Sequence, residues 1–191
     1  FIDDEGKVSE VDALVLSPAG LFLVEIKSRP GVLTGDVHSW TWTTDGRSST
    51  VDNPVILANR KAKRLASLLK RQPAITKAKI RLPFVEPAIF LSSTSLSCRR
   101  EGLAKSATFQ RGRPGALDDS GIVGALANGV TNRSATTVDS QQARAIARGL
   151  TEAGIRPSNK HRQVGDYRLG KLLSEGEGFQ DWEAQHVSID T

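Results

Sequence analysis

Two apolar runs, Val11–Leu16 and Leu21–Lys27, form the clearest hydrophobic pattern near the start of the chain. The four residues between them read Ser-Pro-Ala-Gly. Pro18 suits the first central position of a type I turn, and Gly20 suits its exit. Short apolar runs bounded by turn residues are typical of strands. The pattern therefore predicts a β-hairpin made from an apolar ribbon.

The next segment alternates polar and apolar residues and then changes to a helical period. Val37–Thr43 alternates as a strand does, and Asp45-Gly46 predicts a hairpin turn into a further strand at Arg47–Val51. Asn53 suits a helix cap and Pro54 the first helical position, so we expect a helix that ends near Arg71. Its expected apolar stripe consists of Ile56, Ala62, Leu65, Ala66, Leu68 and Leu69.

Weaker signals continue the alternation of strands and helices. A buried strand is predicted at Val85–Ser92 and a short one at Ala107–Phe109, and helices are predicted at Gly115–Asn128 and Ser140–Ala153. The whole pattern predicts a mixed α/β domain with a central sheet flanked by helices. At 191 residues, the chain has the length for one domain and an appendage.

Three charged side chains, Asp12, Glu25 and Lys27, interrupt the apolar hairpin. A buried charge costs free energy unless it is paired. If the turn has four residues, Asp12 lies opposite Glu25, and Glu10 lies opposite Lys27. Opposed residues share a face of the sheet, with Cβ atoms roughly 4.5–5.5 Å apart. A three-residue loop with a bulge would instead place the two acids on opposite faces.

Two carboxylates this close repel each other, and a divalent cation between them turns that repulsion into attraction. Mg²⁺ is usually held by one or two carboxylates together with substrate phosphate. Lys27, on the same face, can then stabilise a phosphate oxyanion or orient the attacking water. The alternative interpretation is a salt-bridged strand end with no chemistry.

The string E-V-D-A-L-V-L-S-P-A-G-L-F-L-V-E-I-K, with Gly31 and Asn53-Pro54 after it, resembles the NERD (nuclease-related) domain of the PD-(D/E)XK nuclease superfamily. Its core is Asp12 followed by Glu25-Ile26-Lys27. The resemblance implies a restriction-endonuclease-like fold with a central mixed sheet and metal-dependent hydrolysis of DNA. Asp12, Glu25 and the carbonyl of Ile26 would bind Mg²⁺ or Mn²⁺, Lys27 would position the water, and Glu10 would support the lysine. A relic domain that keeps these residues without activity is also compatible with the resemblance.

The NERD resemblance has one departure, on the helix after Pro54. NERD domains commonly carry a glutamine three residues after this proline, whereas this chain has Leu57. The sequence therefore gives no support for a catalytic amide on that helix.

The cations predict a polyanionic partner. The net charge is +5 and the isoelectric point is about 9.6, values that favour a polyanion such as nucleic acid, and the NERD resemblance implies DNA. The candidate DNA-binding residues are Lys61, Lys63 and Arg64 on the helix and Arg29 after the hairpin. A solvated basic helix face is the equal alternative.

Trp40 and Trp42 share a strand face with His38. We favour packing of the two rings over stacking on bases, and a structural or solvated role for the histidine.

Cysteine content and hydropathy bear on location. Cys98 is the only cysteine, so no internal disulfide forms, which is natural for an intracellular protein. No apolar run reaches the roughly 18–20 residues of a membrane span, and no signal peptide is visible. We therefore expect a cytoplasmic protein with no membrane partner. A chain that begins at Phe1 suggests a fragment of a longer protein.

The last part of the chain has a different composition. Residues 155–165 are polar and rich in helix breakers, which predicts a linker between a NERD-like domain at 1–154 and a second domain at 166–191. Val164–Val187 resembles the first two strands of a protein kinase, whose Gly-rich turn covers the ATP phosphates. Gly176 and Gly178 match that turn, and Asp181 stands where the third glycine is expected. The resemblance implies an incomplete ATP-binding element that cannot act alone.

A NERD domain followed by a kinase resembles the serine/threonine kinases of bacterial phage-growth-limitation and BREX type 2 defence systems. The resemblance implies an antiviral role and leaves other phage-defence proteins open as partners, and a homodimer open as an assembly. Two functions other than cleavage also stay open: a non-cleaving DNA-binding or sensing module that regulates the kinase, and a scaffold for defence proteins.

Overall fold

The computed structural model describes residues 9–99, 107–112, 121–129, 137–155, 163–164, 167–176 and 179–186. The chain forms two compact units, residues 1–154 and 155–191. In chain order, the described elements of the first unit are β1 (Ala13–Ser17), β2 (Gly20–Lys27), β3 (Gly31–Gly35), β4 (Ser39–Thr44), β5 (Arg47–Asp52), α1 (Pro54–Lys70), α2 (Pro73–Thr76), β6 (Val85–Leu91), β7 (Leu96–Arg99), β8 (Thr108–Gln110), α3 (Gly121–Asn128) and α4 (Ser140–Glu152).

The central sheet has the strand order β1-β2-β6-β8. β1 is antiparallel to β2, whereas β2, β6 and β8 run parallel to one another. The predicted hairpin is confirmed, and its register runs from Ser17 opposite Gly20 to Ala13 opposite Val24. A four-residue turn therefore joins the strands, and the alternative with a three-residue loop is excluded. The mixed sheet with flanking helices confirms the predicted fold class.

Helices cover both faces of this sheet. Successive side chains of β2 point to opposite sides, so alternate residues of this strand pack against different helices. Phe22 and Val24 pack with Ala88 of β6 and Ile122 of α3. The other face meets α1, which turns one stripe inward. The buried residues of that stripe are Ala58, Ala62, Leu65 and Leu69. The prediction that Ile56 belongs to it was wrong: at two residues from Ala58 it points away, and it is 37% exposed.

The start of α1 follows the sequence closely. The Asn53 side chain accepts a hydrogen bond from the Val55 N–H at 3.0 Å, and Pro54 occupies the first turn. The side-chain amide of Asn53 also donates to the Asp36 carbonyl oxygen at 3.1 Å. Asn53 is 5% exposed, so a single side chain caps the helix and fixes the loop before β4.

A second sheet has the order β5-β4-β3-β7. Trp40 and Trp42 of β4 are 0% and 3% exposed, which confirms packing rather than an exposed stacking platform. Asp45 and Gly46 have φ angles of 51° and 73°, as a type I′ hairpin turn requires. The strand begins two residues later than predicted, at Ser39, and His38 is exposed.

Asp36 explains that later start. Its Oδ1 accepts hydrogen bonds from the N–H groups of His38 and Ser39, at 2.7 and 2.8 Å, and these bonds form a turn before the strand. The bond from Ser39, followed by that from His38, lowers the pKa of Asp36 below its ordinary value of 3.8.

Because the folded state lowers the pKa of Asp36, its stabilising effect is present above the unfolded pKa and disappears as pH falls through the lower folded pKa. We expect Asp36→Asn to remove this pH-dependent contribution to the free energy of unfolding. Urea titrations between pH 5 and 2 should show the difference in unfolding free energy between the two proteins changing across this range. A difference that stays constant with pH would contradict the assignment.

The remaining predicted elements of the first unit shift only slightly. The short strand moves by one residue to Thr108–Gln110, after Ala107 with a φ of 53°. Helix α3 spans Gly121–Asn128, and residues 115–120 of its predicted range lie outside the described residues. Asp139 caps α4 and forms a capping box with Gln142.

The second unit contains β9 (Gln163–Val164), β10 (Tyr167–Gly176) and β11 (Phe179–His186), all antiparallel. The Ser174 hydroxyl donates to Asp181 Oδ2 across the hairpin at 2.7 Å. Gly176 pairs with Phe179 at the hairpin end, and Gly178 lies outside the described residues. Within the described residues of the chain, no helix is long and apolar enough to cross a membrane.

Candidate active site

The predicted acids meet where β2 ends. Glu25-Ile26-Lys27 closes β2, beside the end of parallel strand β6, with Lys27 paired to Leu91. Ala13 pairs with Val24, so the same register places Asp12, one residue before β1, opposite Glu25. The geometric condition for the site, two acids on one face of the hairpin, follows from this register.

Asp12 is anchored to the backbone of β2. Its Oδ2 accepts a hydrogen bond from the Ile26 N–H at 2.7 Å. A bond from an amide to a carboxylate is charge-assisted and fixes the orientation of the acid. A carboxylate has about four lone-pair positions, so this bond leaves Asp12 able to bind a further partner.

Glu25 is buried between two ammonium groups. It is 8% exposed, which requires compensation for its charge. Its Oε1 accepts a hydrogen bond from Lys61 Nζ at 2.6 Å, and its Oε2 lies 3.8 Å from Lys27 Nζ. The first distance is a short charge-assisted hydrogen bond, and the second is an ion pair too long for one. Oε2 is therefore the oxygen more available to another ligand.

Lys61 comes from α1 and was predicted only as a DNA contact. Its side chain is 15% exposed, and its ammonium also donates to the Glu10 carbonyl oxygen at 2.6 Å. It lies three residues after Ala58 and four before Leu65, both buried, so it occupies the inward face of the helix. That spacing is the sequence signal that could have placed Lys61 at the sheet rather than among the DNA-binding cations.

The other predicted DNA-binding residues are exposed or half-buried. Lys63 is exposed two positions after Lys61, on a different side of α1, and Arg64 is half-buried. Arg29 is exposed and places its guanidinium 5.6 Å from the ring centroid of Trp42. A role for these residues in DNA binding stays a prediction. So does support of Lys27 by Glu10, whose backbone oxygen contacts Lys61.

The donor set bears on the metal prediction. Within the described residues, no group of three or more Asp, Glu, His and Cys side chains is placed to hold a metal. Two carboxylates and the backbone of Ile26 fit Mg²⁺ or Mn²⁺ that keeps several waters, rather than an ion enclosed by protein ligands. Asp12 and Glu25 each have lone pairs beyond the bonds described above, so the residues fit such an ion.

The charges of this cluster balance without a metal. Asp12 and Glu25 contribute two negative charges, and Lys27 and Lys61 contribute two positive charges. A divalent ion would make the sum +2, which suits a bound phosphodiester and opposes binding of the ion when no anion is present.

Comparisons with known proteins show what the chain is similar to. Residues 1–92 match the sequence model of the nuclease-related domain, NERD. The chain is 32% identical over 191 residues to a Streptomyces coelicolor protein named Probable kinase PglW. The alignment covers 99% of this chain but only 11% of that relative's length. No solved structure matches the chain.

Both predicted resemblances, to a nuclease-related domain and to a kinase of the phage-growth-limitation type, are therefore confirmed. Asp12, Glu25, Lys27 and Lys61 all lie within the matched range. Residues 1–92 of this chain therefore match the NERD domain, which belongs to the PD-(D/E)XK-like fold.

Proposed function

We propose that the NERD domain of this chain hydrolyses phosphodiester bonds of DNA with Mg²⁺ or Mn²⁺ as cofactor. The observation that carries the proposal is the buried carboxylate of Glu25 at the end of β2, opposite Asp12 and beside the ammonium of Lys27. PD-(D/E)XK-like nuclease domains generally use divalent metals, which supports this cofactor class.

Each residue has a separate task in this proposal. Asp12, Glu25 and the Ile26 carbonyl would hold the ion, which when bound would polarise the phosphate and make water more acidic. Lys27, with a side chain 36% exposed, reaches solvent and positions the attacking water or stabilises the phosphate oxyanion. The hydrogen bond from Ile26 to Asp12 holds one acid in place before substrate arrives.

We extend the proposal to the whole protein because the chain is similar to a relative named as a probable kinase. A NERD domain followed by a Gly-rich hairpin, in a chain similar to a probable kinase, supports a serine/threonine kinase with an attached nuclease in anti-phage defence. In such a kinase, the backbone at Gly176 and Gly178 of this chain would cover the ATP phosphates.

Lys27→Met tests the nuclease proposal directly. We expect the unaltered chain to nick supercoiled plasmid in Mg²⁺ or Mn²⁺ and to stop in EDTA. The substitution removes an ammonium directed at the reacting phosphate, so the nicking rate should fall by about a hundredfold or more. Gel assays of plasmid conversion over time give both rates.

The matched control is Lys70→Met, which removes an exposed lysine from the last turn of α1. Its nicking rate should equal that of the unaltered chain. Cleavage by Lys27→Met at the unaltered rate would remove this lysine from the mechanism.

A second candidate is a non-cleaving DNA-binding module that regulates the kinase. The contact of Lys61 with Glu25 favours it, because an internal ammonium already satisfies the buried acid. This candidate predicts DNA binding that weakens steeply with salt, and no nicking in either metal. Fluorescence anisotropy with labelled DNA at several salt concentrations, beside the nicking assay, separates the two functions.

A further inference from the structure

The contact between Lys61 and Glu25 joins distant parts of the chain at the end of β2. Lys61 lies on α1, 36 positions from Glu25, and its ammonium makes hydrogen bonds of 2.6 Å to both Glu25 Oε1 and the Glu10 carbonyl oxygen. Both partners are well buried, with side chains 15% and 10% exposed for the lysine and the glutamate. The ammonium is therefore held in the site rather than exposed on the helix.

This ammonium has two opposite effects on a metal site. It stabilises the metal-free protein, because a buried carboxylate with no partner is costly. It also opposes a divalent ion, because the ammonium occupies one oxygen of Glu25 and carries a charge of the same sign a few ångströms away. Lys27 is already a second cation near the same carboxylate, at 3.8 Å, which adds to the repulsion.

We propose that Lys61 is a tethered cation that competes with the divalent metal for Glu25. In the metal-free protein it neutralises the acid, and occupation by metal requires it to weaken or break its bond to Oε1. The inference rests on the proposed metal-dependent function and adds an internal competitor to it. The consequence is a folded domain whose metal affinity is set lower than its carboxylates alone would give.

An orienting role would have the opposite result. Partners that hold a metal ligand in place strengthen binding, and their loss typically weakens metal affinity by about 10–100-fold. Loss of a competing cation instead strengthens it. The sign of the change in affinity therefore decides between the two roles.

Isothermal titration of the 191-residue chain with MnCl₂ alone measures this sign. We expect Lys61→Met to bind Mn²⁺ about tenfold or more tightly than the unaltered chain, because one like charge is removed from the site. Lys70→Met, the same change at an exposed position of α1, should leave the affinity unchanged. A Lys61→Met chain with equal or weaker affinity would overturn the competing role.

Thermal unfolding with and without Mn²⁺ provides a second readout. Lys61→Met should have a lower Tm than the unaltered chain without metal, and a larger rise in Tm when Mn²⁺ is added. If the variant does not fold without metal, Lys61→Gln takes its place, because its amide can still donate to Glu25 without a charge. If neither the unaltered chain nor the variant binds Mn²⁺, the metal-dependent function fails as well; if both bind with equal affinity, only the role of Lys61 fails.

Discussion

Replacing Glu25 with glutamine is expected to abolish metal-dependent cleavage, with a loss of about a thousandfold or more in rate. The amide removes the buried negative charge that would hold the cation, and several kcal/mol of transition-state stabilisation go with it. The change should also lower the free energy of unfolding by about 3 kcal/mol, because the 15%-exposed ammonium of Lys61 keeps its charge without its carboxylate. Plasmid nicking and urea denaturation measure the two effects.

Two controls separate chemistry from folding. Glu183→Gln makes the same change at an exposed position of β11 and should alter neither rate nor stability. Adding Lys61→Met to Glu25→Gln should recover much of the lost stability, since no buried charge is then left alone, but should not recover cleavage. Nicking by the folded double variant at the unaltered rate would show that Glu25 takes no part in the reaction.

The parts of the site that could be predicted depend on neighbours along the chain or across one turn. The Ser-Pro-Ala-Gly turn fixed the hairpin length, and side chains alternate across strands, so the placement of Asp12 opposite Glu25 followed from the turn alone. The cap at Asn53 was equally local, because its side chain bonds to the Val55 N–H two residues later.

The parts that could not be predicted depend on tertiary contacts. The helical spacing turns Lys61 towards the sheet, but its contact with Glu25 arises only because α1 packs across the end of β2. The turn before β4 likewise depends on the Asp36 side chain bonding to two backbone N–H groups, which competes with the strand pattern.

Gly31→Ala is expected to lower the free energy of unfolding by about 3 kcal/mol or more, a combined cost of backbone strain and overlap. Gly31 begins β3 with a φ of 101°, a conformation that side chains rarely adopt. An added Cβ would overlap the Thr43 carbonyl oxygen and lie 2.6 Å from Thr44 Oγ1. The Thr44 hydroxyl donates to the Pro30 carbonyl oxygen at 3.0 Å, so β4 cannot move away without losing that bond.

Gly46→Ala is the matched control, because Gly46 also has a positive φ, 73°, but an added Cβ meets nothing within 4 Å. It should cost only the backbone strain, about 1 kcal/mol. Urea denaturation of the three proteins measures the difference, and equal losses at the two glycines would show that overlap with β4 is not what Gly31 avoids.

Because the link from Lys27 to Gly31 spans only residues 28–30, close packing of Gly31 on β4 also restricts where the end of β2 lies. The glycine that follows the acidic motif is therefore explained by backbone contact rather than by chemistry.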